Sequence, residues 1–411
     1  MVPLIFLTKN KHLGNFRYNQ KMKQYTKLTN GRVITPSGIK KGWSILFCNE
    51  QILEIGAETS TPAGTHIIDL KGKYAAPGCI DIHVHGGGAH NFTENSVEAY
   101  VTAAQAHAEH GTTALYATLE ANPTSQFKKC FDTFAAYDAQ RKEFNCARIL
   151  GLHLEGNYIN RSKKGALPPQ YIKNPDEEEY KELLAYTDCI KRWTFAPELP
   201  GAMEFADYAR SRGVVLSLGH TESCYPEVER AYNHGVCLAT HFYNAMIGVH
   251  THNGYKREGT IESVFAIPDL DVEVITDGIH IPLTIIKHIY QAKGADHMAL
   301  ITDSMDPAGM KNPEEYNDGY KQVIEGVCKL MDGHTLAGSI ATFDQLIRTC
   351  LQAGLPLEDV IKMCSATPAK IMGIDKTKGS LIPGYDADII CFDEEINIQS
   401  TWVEGKLVFK A

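Results

Sequence analysis

The sequence lacks a Cys-x-x-Cys pair, a Gly-x-Gly-x-x-Gly or Gly-x-x-x-x-Gly-Lys-Ser/Thr loop, and a Gly-x-Ser-x-Gly elbow. It also lacks any apolar run near the roughly 18–20 residues that span a bilayer. Each absence removes a class of protein. The 11 cysteines are odd in number and scattered, so neither a disulfide framework nor a cysteine zinc site is expected, and a reducing cytoplasm fits. Without a phosphate-cradling glycine loop, nucleotide binding is not expected. Without the elbow, neither is a serine hydrolase of the α/β type. The apolar run at 3–7 is too short for a signal peptide, and no small-residue cleavage site follows it. Positive charge is in deficit: 40 Lys and Arg stand against 49 Asp and Glu, a net charge of −9. Nucleic acid is therefore excluded as a general partner, and no membrane partner is expected. An anionic small molecule remains possible, because a few local cations suffice to hold one.

What is present is an ordinary globular composition, 44% apolar and 22% charged over 411 residues. Residues 1–21 are polar and aperiodic after Leu7 and are expected to be a poorly ordered extension. Residues 22–75 and 378–411 carry short strand patterns and tight turns, including an Asn30-Gly31 pair that reads as a hairpin turn. They predict one small β-sandwich domain built from both chain ends. Residues 76–377 alternate differently. Apolar runs at 79–84, 113–118, 148–154, 194–196, 214–218, 237–240, 272–276 and 298–302 are each followed by a helical pattern. Eight strand–helix units with right-handed crossovers predict an α/β fold, a (β/α)₈ TIM-like barrel, over an open doubly wound sheet.

Chemistry in such a barrel sits at the carboxyl ends of the strands. The first run ends in His83-Val84-His85, and residues two apart on a strand share a face. The third ends in His153-Leu154-Glu155. There Glu155 can bridge metals, while His153 reads as a supporting or core residue. The fifth and sixth end in His220 and His241, the seventh leads to Asp277 and His280, and the eighth to Asp303. Single histidines after strands are usually structural; their joint placement is what points to a metal site. The donors are nitrogen and oxygen only, which suits Zn, Fe, Mn or Co. A divalent ion with an open position acidifies water and polarises a carbonyl, the requirements of hydrolysis.

These residues resemble the amidohydrolase superfamily and, within it, the N-acetylglucosamine-6-phosphate deacetylase family. The resemblance runs from about residue 22 to the C-terminus. It is carried by Pro77-Gly78-Cys79-Ile80-Asp81-Ile82-His83-Val84-His85-Gly86-Gly87-Gly88, Gly151-Leu152-His153-Leu154-Glu155-Gly156, Gly219-His220-Thr221, Thr240-His241-Phe242-Tyr243-Asn244-Ala245-Met246, Asp277-Gly278-Ile279-His280, Thr302-Asp303 and Leu336-Ala337-Gly338-Ser339. It implies hydrolysis of the N-acetyl group of an amino-sugar 6-phosphate. It implies Glu155, His220 and His241 as the main metal ligands, His83 and His85 as a second-metal pair, and one or two divalent ions. Asp303 would contact metal and act as base, then acid. Asn244, Ala245 and His280 would hold the sugar phosphate, with Leu336 on the wall of the pocket. A phosphate-binding cation is implied in the 247–259 segment, Arg257 first and His252 second, reaching a neighbouring subunit in a homodimer. Two positions depart from the family: Asn157 stands where proline is usual, and Leu167 where a carbonyl-polarising histidine is common. The galacto epimer as substrate and a non-catalytic sugar-phosphate scaffold remain alternatives.

Overall fold

The computed structural model describes residues 23–411. The expected extension at 1–21 lies outside the described residues. Eight parallel strands form the barrel wall in chain order: Cys79–Val84, Thr112–Glu120, Arg148–Glu155, Ile190–Phe195, Val215–Leu218, Val236–Ala239, Asp271–Ile275 and Met298–Ile301. They are numbered one to eight here. All eight correspond to the apolar runs, and only their ends differ. Strand four starts at Ile190, earlier than expected, because Lys191 and Arg192 interrupt the apolar pattern. The strands read as continuous hydrophobic runs because both faces are covered, as parallel sheets require. Helices such as Val97–Glu109, whose N-terminus is capped by Ser96 accepting from the Ala99 amide, pack outside.

Strands one and eight close the ring. The Asp303 amide donates to the His83 carbonyl at 2.9 Å, and the His85 and Gly86 amides donate to the Ser304 carbonyl. Below them the buried Asp81 carboxylate accepts from the Thr302 hydroxyl at 2.5 Å. Burial pushes the Asp81 carboxyl up to about 7, with the Thr302 and His83 hydrogen bonds opposing.

The chain ends form a flanking eight-stranded sheet. Tyr25–Thr35 pairs with Gly38–Cys48, and Tyr74–Pro77 joins it to Ile389–Phe392 and the C-terminal hairpin. Alternation of period two divides its side chains. Val33, Ile389 and Cys391 enter the sheet's own core, while Ile34, Ile390 and Phe392 join the barrel's. Asn30-Gly31 is not a hairpin turn but a bulge inside one long strand. Asn30 takes φ +56° and donates to Asp69, and a side chain on Gly31 would collide with Leu70 at 2.7 Å. The hairpin turn falls at Pro36-Ser37 instead.

A three-stranded antiparallel sheet, Lys321–Ile324, Val327–Leu330 and Leu336–Gly338, follows strand eight. The sequence patterns did not foretell it. It is tied down by Asp306, which accepts from Lys321 at 3.0 Å and Tyr316 at 2.7 Å.

The buried Lys293 ammonium caps the end of helix Thr260–Ala266, donating at 2.8 Å to the carbonyls of Val264, Ile267 and Leu270. Lys293→Met leaves three carbonyls without that donor. It should lower unfolding stability by about 3 kcal/mol in urea titration, given ~1–3 kcal/mol per buried unsatisfied group.

Candidate metal centre

Six of the expected residues converge at the barrel mouth. Two overlapping donor groups, His83–His85–Glu155 and Glu155–His220–His241, share Glu155 and are buried throughout. His220 Nε2 and His241 Nε2 lie 3.0 Å from one another, and each lies 3.0 Å from Glu155 Oε1. His83 Nε2 and His85 Nε2 lie 3.5 and 3.2 Å from Glu155 Oε2. Asp303 Oδ1 stands 3.3 and 3.2 Å from the same two nitrogens.

The donor chemistry fits a cation. His220 Nδ1 donates to the Lys163 carbonyl at 2.7 Å, and His83 Nδ1 donates to Glu273 at 2.8 Å. In the neutral ring each Nε2 then carries the lone pair that a cation would take. Lone pairs and carboxylate oxygens converging at about 3 Å are satisfied by a divalent ion, and outer hydrogen bonds of this kind orient metal-ligating histidines. Burial would raise the Glu155 carboxyl, but His83, His220 and His241 outweigh it and hold it well below the usual range. Asp303 is likewise kept ionised against burial by His83 and His85.

The backbone contributes. His220, His241 and Asp303 have φ of +50°, +30° and +48°, the left-handed region that costs a non-glycine residue about 1 kcal/mol or more. Each is the second residue past its strand, and the reversal turns its side chain inward over the barrel axis. His153 is no ligand. Burial, then Arg192 and His83, hold its imidazole far below its ordinary range, and its nitrogens engage the Thr118 and Thr194 hydroxyls.

The sequence reading missed the support beneath. Glu273 on strand seven accepts from His83 Nδ1 and, at 3.0 Å, from the His241 amide, and pairs with Arg192 at 2.5 Å. Arg192 continues to Ser217, Thr240 and the Ile82 carbonyl. All of these side chains are fully buried. Burial would raise the Glu273 carboxyl, yet Arg192 and His83 hold it at about 2. The signal was a Glu flanked by two valines inside the strand, Val272-Glu273-Val274.

A cavity of about 380 Å³ opens above the cluster. Asn244, Ala245, His280, Leu167 and Leu336 line it, as do Glu120 and Lys163. Asn244 Nδ2 is buried without an acceptor among the described residues. His280 donates to Asp277 at 2.7 Å; burial pulls its pKa down, but Asp277 outweighs it and the net shift is upward. Asn157 forms a two-pronged clamp, accepting from the Asn122 amide and donating to the Asn122 carbonyl. His252 and Arg257 are not brought to this cavity. They lie on an exposed hairpin, His250–His252 with Tyr255–Arg257, that projects from the barrel.

Residues 74–408 match the Amidohydrolase family. The chain belongs to that family. It is 31% identical over 388 residues, 92% of this chain and 97% of the relative, to an N-acetylglucosamine-6-phosphate deacetylase of Lysinibacillus sphaericus. The solved N-acetylglucosamine-6-phosphate deacetylase of Pasteurella multocida superposes with a TM-score of 0.86 at 27% identity, over 93% of this chain and 99% of that one. A Mycobacterium smegmatis N-acetyl-D-glucosamine-6-phosphate deacetylase mutant, solved in complex with N-acetyl-D-glucosamine-6-phosphate, gives 0.85 at 27% identity over 94% and 100%. The family depends in general on divalent metal, in keeping with the donor groups found here. Among the described residues no helix is long and apolar enough to cross a membrane.

Glu273→Gln should weaken metal binding about 10- to 100-fold, the usual cost of losing an outer-sphere partner. Competition with a chelator, read by metal content, measures it directly.

Proposed function

We propose that the chain is a metal-dependent hydrolase that removes the acetyl group of N-acetyl-D-glucosamine 6-phosphate, giving D-glucosamine 6-phosphate and acetate. One observation carries this reading. The ionised Asp303 carboxylate stands against two donor groups that share Glu155, on the floor of a cavity whose rim holds Asn244, Ala245 and His280. Glu155, His220 and His241 would hold one divalent ion and His83 with His85 a second, drawn from Zn, Fe, Mn or Co. When bound, such an ion polarises an amide carbonyl and acidifies water.

The chain's own residues do the rest. Asp303 accepts a proton from the attacking water and returns it to the amine nitrogen as the C–N bond breaks. The open Asn244 Nδ2 and the His280 ring, whose pKa Asp277 raises against burial, offer donors to the phosphate. Leu336 packs on the substrate from the inserted sheet. Leu167 lines the cavity and cannot donate a hydrogen bond to the substrate carbonyl. Arg257, with His252 second, would serve the site of a neighbouring subunit in a homodimer. The same reading assigns 76–377 to the catalytic barrel and 22–75 with 378–411 to the small β domain, and places the enzyme in the cytoplasm.

The direct test is acetate release by the metal-loaded protein from N-acetylglucosamine 6-phosphate and from unphosphorylated N-acetylglucosamine. Strong preference for the phosphate is expected; turnover of neither, with metal verified as bound, overturns the reading. Asp303→Asn should keep substrate binding, measured calorimetrically, and lose turnover by several orders of magnitude. A His280 pKa raised above the ordinary value means the cation persists below it and is lost as pH climbs through it. KM for the phosphate should therefore rise about tenfold across that step, one charge-assisted contact. Asp277→Asn should move the rise to lower pH, visible in the pH profile of KM.

A further inference from the structure

Helix Val97–Glu109, which follows strand one, carries a buried histidine, His107, that the proposed reaction does not use. Five of the seven buried residues of this helix are alanine, so it comes close to whatever it covers. It covers the two loops that leave strands one and eight. A Cβ on Gly87 would come within 3.0 Å of His107 Nε2, and one on Gly309 within 3.0 Å of the Ala106 Cβ. The loops are themselves joined. The Gly88 amide donates to the Ala308 carbonyl at 2.7 Å, and the Ala89 amide to the Asp306 carbonyl at 2.8 Å.

His107 is 1% exposed at this junction. Its Nε2 stands 2.8 Å from the Gly86 carbonyl oxygen. A carbonyl only accepts, so Nε2 carries the proton. Burial pulls the pKa of the ring down to about 4, with the Gly86 bond opposing, and the imidazole is neutral near pH 7. Its bare Nδ1 is buried with no partner among the described residues. An unpaired buried nitrogen costs stability, so packing alone does not account for an imidazole here. The bond at Nε2 does.

Gly86 is the residue after His85. Among the metal-site histidines, His83 Nδ1 is held by Glu273 and His220 Nδ1 by the Lys163 carbonyl. His241 and His85 have no such partner at Nδ1 among the described residues. The backbone of His241 is fixed by Glu273. That of His85 runs into Gly86-Gly87-Gly88, which has no side chains to lock it. It is pinned on both sides of Gly86 instead. The His85 and Gly86 amides donate to the Ser304 carbonyl at 2.8 and 3.0 Å, and the Gly86 carbonyl accepts from His107. Glu155, His220 and His241 share no hydrogen bond with His107.

We infer that His107 is a positioning residue for the second metal pair. By holding the Gly86 carbonyl it fixes the backbone from which His85 faces Glu155 and Asp303. It thereby sets the affinity of the His83–His85 side for its divalent ion and leaves the Glu155–His220–His241 side alone. This rests on the two-ion reading above. His107 itself touches neither ion nor substrate.

The test loads the full chain with Mn²⁺, dialyses it against graded chelator, and reads ions per chain together with the electron paramagnetic resonance spectrum. A lone Mn²⁺ gives a resolved hyperfine pattern, and two ions bridged by one carboxylate give a coupled, broadened one. Wild type should hold two ions and show the coupled pattern. His107→Phe keeps a ring and removes the donor. It should release one ion at roughly tenfold lower chelator, the lower end of what a lost outer partner costs, and hold the other within about twofold of wild type. The resolved pattern should appear as the first ion leaves. His107→Gln, whose amide can donate to the same carbonyl, should recover most of the loss. Gly87→Ala presses on the ring from the loop side and should act as His107→Phe does; it decides the matter together with His107→Gln if the Phe variant does not fold. Parallel loss of both ions would mark a merely structural role and overturn the inference. So would two ions held as tightly by His107→Phe as by wild type, or a Gln variant no better than Phe. A wild type that never takes a second ion fails the two-ion reading itself and takes this inference with it. Two ions in wild type without a selective loss in the variants fails this inference alone.

Discussion

A fully buried ion pair inside the barrel, Arg192 with Glu273, is the constraint on which the mouth depends. A charge in that position is tolerable only if paired and hydrogen-bonded. Here both ions are saturated by groups that matter above them. Glu273 accepts from His83 and the backbone of His241; Arg192 donates to Ser217, Thr240 and the carbonyl of Ile82. Strands one, four, five, six and seven thus meet at one polar knot. The pair does little for stability that an apolar plug could not do, but it fixes ring orientation and strand height at once.

Above the knot, the site is held by backbone as much as by side chains. Left-handed residues at three strand ends would relax outward in isolation. The surrounding loops prevent this: Thr221 is bridged to Met246, and the Ser339 amide donates to the Asp303 carbonyl. Strain of this kind persists where neighbours over-determine it, and such places are commonly functional. The inserted sheet, pinned at Asp306 and touching the Ala166 carbonyl through Tyr320, completes the wall from the far side.

Much of this was legible in the sequence because the barrel writes itself in a simple code. Buried parallel strands are apolar runs, and a polar residue just past each run has nowhere to go but the mouth. His83, His85, Glu155, His220, His241 and Asp303 were visible for that reason. Glu273 was not, since a charge within a strand is invisible as support until its partner on another strand is known. Asn30-Gly31 misled because the same pair serves a turn or a bulge, and only the nearness of Leu70 decides. The inserted sheet escaped because its short strands are stabilised by contacts across the mouth rather than by their own pattern. Arg257 and His252 were placed by analogy of position, and their hairpin carries them clear of this chain's cavity.

The seam that closes the ring sets an order of assembly. Asp81 and Thr302, which meet there, stand 221 positions apart in the chain. Glu155, His220 and His241 are all synthesised before strand eight exists, and adjacent parallel strands link their positions without the seam. The pairing of Asp303 with His83 and His85 needs the ring shut. A nascent chain can therefore gather Glu155, His220 and His241 early, while Asp303, the carboxylate proposed to move the proton, arrives last. The reactive centre comes into being only as the barrel is completed, so no truncated product that stops short of strand eight carries it.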